Sequence, residues 1–133
     1  MDTRTKIVDA AAAAEAARAC RQSGGLVAAV TGSFDVLLAE TARELAELRQ
    51  DARAGLLVAV LPPSPAPVLE PRARAEMVAA LAVIDYVVVA ADGAEADALL
   101  AAIEPRAVAR LEADHQRRLG QLIEHVHGRH TTG

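Results

Sequence analysis

Aromatic side chains are almost missing from this chain: one Phe, one Tyr and no Trp among 133 residues, 2% in all. An interior without large rings has to be assembled from many small contacts, so a thin aliphatic core of Ala and Val with some Leu is expected. Cysteine occurs once, at Cys20, which excludes an internal disulfide. In its Ala-rich surroundings that thiol reads as a small hydrophobe, and no base lies near it in sequence to make it a nucleophile. A reducing cytoplasm is the compartment that fits. No apolar run approaches the roughly 18 residues of a membrane span, and the charged start MDTRTKIVDA leaves no place for the apolar stretch of a signal peptide. A soluble, unexported protein with no membrane partner is therefore expected. An excess of positive charge is also lacking: 14 Lys and Arg stand against 18 Asp and Glu, a formal net charge of -4. Proteins held on DNA or RNA by phosphate neutralisation need a basic face, so nucleic acid is disfavoured as a partner.

What the chain does have is alanine, about a quarter of all residues, and short apolar runs at regular intervals. Its length suits one domain, placed at residues 1 to 128 with 129 to 133 as a tail. Val8 to Gln22 reads as a helix capped by Asp9 and stopped by Gly24-Gly25. Leu26 to Gly32 is a β-branched run without polar alternation, as in a central strand covered on both faces. Leu38, Ala42, Leu45 and Leu48 then mark an amphipathic helix ending at Gly55, with Glu40, Glu44, Arg43, Glu47, Arg49 and Arg53 on a solvated face. Leu56 to Leu61 repeats the buried-strand pattern and leads into a Pro-rich loop. A helix from about Glu70 to Ala82, with Pro71 in its first turn and Met77 and Leu81 on one face, precedes a third strand at Asp85 to Ala90. Ala94 to Ile103 is a short helix, Arg106 to Glu112 a fourth, peripheral strand, and Asp114 to about His127 a helical tail.

Helices alternating with buried strands predict a three-layer α/β fold, a Rossmann-like parallel sheet with helices on both faces and right-handed crossovers. Ligands of such sheets sit beyond the carboxyl ends of the strands, where strand order reverses, and the turn after the first strand is the usual phosphate contact. Here that turn contains Gly32, Ser33, Phe34 and Asp35, with Arg74 and Arg110 as further candidate phosphate ligands. A strand-to-helix turn also needs a glycine and a capping side chain for purely local reasons. His115, His125, His127 and His130 crowd the tail, but residues two apart on a helix point to different faces, and no metal site is assigned to them.

The stretch T-G-S-F-D-V-L, Thr31 to Leu37, follows an apolar strand and opens a helix. It resembles the first motif of the cytidylyltransferase-like nucleotidyltransferases, and within them the adenylyltransferase domain that makes ADP-heptose. TKIV at Thr5 to Val8, RAEMVAAL at Arg74 to Leu81 and IDYVVV at Ile84 to Val89 follow in that family's order, so the resemblance covers the chain up to Arg110. It implies the fold, a nucleotide (ATP or CTP with Mg2+), and attack by a sugar phosphate or alcohol phosphate on the α-phosphate with release of pyrophosphate. Homodimers occur among such proteins, and the Ala-rich first helix would suit a close subunit contact. Family members carry a His-x-Gly-His tetrad whose imidazoles reach the phosphates. Leu38, Ala39, Glu40 and Thr41 occupy those positions here. The resemblance thus implies a degenerate domain without nucleotidyl transfer, kept as a binding, scaffold or regulatory module. The alternative is an active enzyme with Thr41, Arg74 and Arg110 as rebuilt donors. A third reading is a structural partner in a larger assembly.

Overall fold

The computed structural model describes residues 3–32, 34, 39–63 and 70–111. After a 3-10 turn at Thr3–Lys6, helix α1 (Ala10–Gln22) starts where Asp9 accepts a bond from the Ala12 amide at 2.8 Å. It ends where the Gly24 amide reaches the Arg21 carbonyl and the Gly25 amide the Cys20 carbonyl, with Gly24 at φ 86. That paired closure needs one left-handed residue, the role glycine fills most cheaply. Strand β1 (Val27–Thr31) follows, then α2 (Ala39–Asp51), β2 (Leu56–Leu61), α3 (Pro71–Ala79), β3 (Tyr86–Val89), α4 (Gly93–Ile103) and β4 (Ala107–Arg110).

All four strands are parallel, in the order β3-β2-β1-β4. Alternate residues of the two central strands serve two separate cores. Ala28, Val30, Leu57, Ala59 and Leu61 meet Leu45 of α2 and Ala75, Val78 and Ala79 of α3. Val27, Ala29, Val58 and Val60 meet Ala13 and Ala17 of α1 and Ala96, Leu99, Leu100 and Ile103 of α4. The fold is the three-layer, Rossmann-like arrangement expected, with β1 inside and β4 at an edge. The connections through α2 and α3 step one way across the sheet on one face, whereas α4 returns the other way on the opposite face. All three crossovers therefore share one hand, as twisted parallel strands require.

Three details differ from the sequence reading. Helix α2 stops before Gly55: Arg53 takes the left-handed position at φ 51, and the amides of Arg53 and Ala54 close onto the carbonyls of Gln50 and Arg49. Arg49 is not simply a solvated charge. Its guanidinium donates to Asp85 Oδ2 and to the Val83 carbonyl, each at 2.7 Å, while Asp85 Oδ2 also accepts from the Leu57 amide at 2.8 Å. One half-buried ion pair thus ties α2 to the amino ends of β2 and β3. In α3 the buried side carries Arg74, Ala75, Val78 and Ala79, not Met77 and Leu81. The helix ends at Ala79, so Leu81 lies beyond it, where its carbonyl accepts from the only lysine, Lys6, at 3.1 Å. Met77 is exposed on the other side.

Among the described residues the buried hydrophobic side chains are aliphatic with one exception, the fully buried Phe34. Tyr86 is half-buried at the start of β3, against the α1/α4 layer. Cys20 packs there too, its Sγ 3.7 Å from the Leu26 carbonyl and so close to Gly25 that a Cβ on that glycine would lie 2.6 Å away. The tail expected to be helical, with its four histidines, lies outside the described residues, as does Glu112, the expected end of the fourth strand. No helix among the described residues is long and apolar enough to cross a membrane.

Removing the Asp85 carboxylate strands a half-buried guanidinium and a buried amide together. Asp85→Ala is expected to lower stability by about 2–3 kcal/mol, read as a lower urea midpoint at unchanged slope.

Candidate functional site

Strand order reverses at β1, whose chain continues toward β2 on one side while β4 flanks it on the other. A crevice forms naturally beyond the carboxyl ends of the strands at such a point. β1 ends there at Thr31, which is buried, and Gly32 follows with its amide 3.4 Å from the Val60 carbonyl. A Cβ added to Gly32 would stand 2.9 Å from Cε2 and 3.1 Å from Cζ of Phe34. The missing side chain therefore makes room for the phenyl ring. This is a reason internal to the protein for a glycine that sequence alone reads as a place for phosphate to approach.

Phe34 has a left-handed backbone at φ 54, unusual for a bulky residue. That conformation costs on the order of 1–2 kcal/mol, and burying the ring returns about 2–3 kcal/mol. The turn is thus held by its aromatic anchor, which joins Val30, Leu45, Ala75 and Val78 in the α2/α3 core. Of the remaining turn candidates, Ser33, Asp35 and Leu38 lie outside the described residues. Ala39 and Glu40 open α2.

Thr41, also in the first turn of α2, is 1% exposed. Arg74, in the first turn of α3, is 2% exposed, with one guanidinium nitrogen 3.5 Å from the Pro62 carbonyl at the end of β2. Since helices between parallel strands start at the carboxyl edge, both side chains stand at the predicted edge but inside the α2/α3 layer. Sequence reasoning took Arg74 as a candidate phosphate ligand and did not place it on the buried side of α3. The available signal was its spacing, four residues before Val78 and thus on the same buried stripe.

Arg110 closes β4 beside Thr31 in the register. It projects on the α4 side of the sheet, where its guanidinium lies 3.8 Å from Asp97, with both side chains mostly exposed. Arg74 and Arg110 consequently stand on opposite faces of the sheet. Cys20 is at the other end of the sheet, beside Leu26 and Gly55, remote from this edge. Among the described residues no three His, Cys, Asp or Glu side chains gather to hold a metal.

No protein-family model matches the chain, and no curated protein matches it.

The pairing of Gly32 with Phe34 has a measurable signature. Gly32→Ala is expected to cost about 1–3 kcal/mol by overpacking and Phe34→Ala about 3–5 kcal/mol by leaving a cavity. In the double variant the Gly32→Ala penalty should largely vanish, because the new methyl enters the space the ring left. Additive penalties in chemical denaturation would show that Gly32 serves something other than the ring.

Proposed function

We propose that this chain is a nucleotidyltransferase-like domain that has lost nucleotidyl transfer and works as a binding, scaffold or regulatory module. The reading starts from the resemblance of Thr31 to Leu37 and of the segments that follow it in order. It is compatible with the parallel sheet and the reversal at β1. The observation that carries it is the placement of the three groups that would have to replace the lost imidazoles: Thr41 and Arg74 are buried, and Arg110 faces the α4 side. Transfer of a nucleotidyl group needs donors aimed at the oxygens where charge accumulates, and losing one such donor typically costs about 2.7–4 kcal/mol of transition-state stabilisation. Two imidazoles are replaced, by Leu38 and Thr41, and Glu40 adds a negative charge where the family has glycine. A carboxylate beside a polyphosphate is repulsive, the more so as water is excluded.

The active alternative requires Thr41, Arg74 and Arg110 to act together on ATP or CTP, and their separation weighs against it. Mg2+ in that case would ride on the nucleotide's own phosphates. A single phosphate or sulfate at the Gly32 turn remains compatible with a module that binds without turnover.

Two measurements test the reading. Incubated with ATP or CTP and a sugar phosphate or alcohol phosphate, the protein is expected to release no pyrophosphate above background, and steady release would overturn the proposal. The triple variant Leu38→His, Glu40→Gly, Thr41→His should gain turnover on the order of 100-fold or more over the parent if only that corner was dismantled.

A further inference from the structure

The two edges of the sheet are finished differently. Along β3, Ile7 forms a parallel bridge to Val87, and the Val8 amide donates to the Val87 carbonyl at 2.9 Å. That edge is covered by the chain's own start. Along β4, β1 is the sole strand neighbour among the described residues, so the outer row of backbone donors and acceptors has no strand against it there. Arg106, Val108 and Arg110 are exposed and alternate with the half-buried Ala107 and Ala109. Alternation brings those three side chains into one row on the α4 side of the sheet. Val108, 41% exposed, is one of two large hydrophobic residues open to solvent among the described residues.

We propose that the outer edge of β4 docks an extended acidic segment of another protein, added as a further strand. Main-chain bonds to an open edge supply affinity for any extended peptide, and the alternate side chains select which one. A row reading cation, apolar, cation is complemented by a segment with acidic residues two places either side of an apolar one. A second copy of this chain is disfavoured in the register centred on Val108. Two-fold pairing centred on Val108 would be antiparallel and would set Arg106 of each copy against Arg110 of the other, like charges directly opposed. The same two arginines thus oppose self-pairing in that register while favouring an acidic strand. Asp97 does not occupy Arg110 to the exclusion of a partner, since their 3.8 Å contact is between largely exposed groups. The proposal is independent of the nucleotidyltransferase reading.

The test titrates the isotope-labelled full chain with a capped seven-residue peptide that has glutamates two places either side of a central valine and threonines between them. Amide shifts are expected at residues 106 to 110 and at their β1 neighbours. Binding should weaken at least tenfold in Arg106→Glu/Arg110→Glu, whose thermal midpoint serves as the check on folding, and should fall with added salt. A peptide with lysines for glutamates should not bind. Absence of shifts at millimolar peptide, shifts elsewhere on the surface, equal binding of the lysine peptide or of a short RNA, or indifference to the double charge reversal would each overturn the proposal.

Discussion

Two central strands buried on both faces are the constraint on which this molecule rests. β1 and β2 present side chains to two helical layers at once, so each residue must fit a face without leaving a polar group unpaired. The chain meets this with Ala, Val and Leu on the strands and Ala at the innermost points of α1 and α3, which lets helix and sheet backbones approach closely. Side chains this small bury little area each, which is why ties such as Arg49 to Asp85 and Arg21 to the Ile103 carbonyl and Glu104 recur where elements meet. They stitch helix ends to strand ends where apolar contact runs out.

Much of that architecture was legible in the sequence. The runs Leu26 to Gly32 and Leu56 to Leu61 lack polar alternation because both faces are covered, and that pattern distinguishes a parallel interior strand from an edge strand such as β4. The cap at Asp9 was legible too, three residues before the amide it accepts from, whereas Asp92, which caps α4 in the same way, was not singled out. The end of α2 was not, because a left-handed Arg53 has no compositional signature. The buried side of α3 was misjudged because hydrophobicity points to Met77 and Leu81, whereas the helix is too short to include Leu81 and its inner stripe contains an arginine.

At the carboxyl edge the sequence conveys less, for a physical reason. A glycine after a strand has the same spelling whether it admits a phosphate or a phenyl ring, and the difference rests in the neighbour two residues on. With Phe34 folded back over Gly32, the turn is determined from within. Charges behave likewise. Arg74 and Arg110 are both near the reversal of strand order, yet one is enclosed by helices and the other stands on the opposite face, a distinction that strand parity and helix spacing fix only after the register is known.

The scarcity of rings has an optical side. Without tryptophan, ultraviolet emission from the folded protein originates at Tyr86, half-enclosed at the amino end of β3, on the far side of the sheet from Gly32 and Phe34. Events at the carboxyl edge are therefore spectroscopically quiet in the native chain, and a chromophore introduced near that edge is the natural way to make them visible.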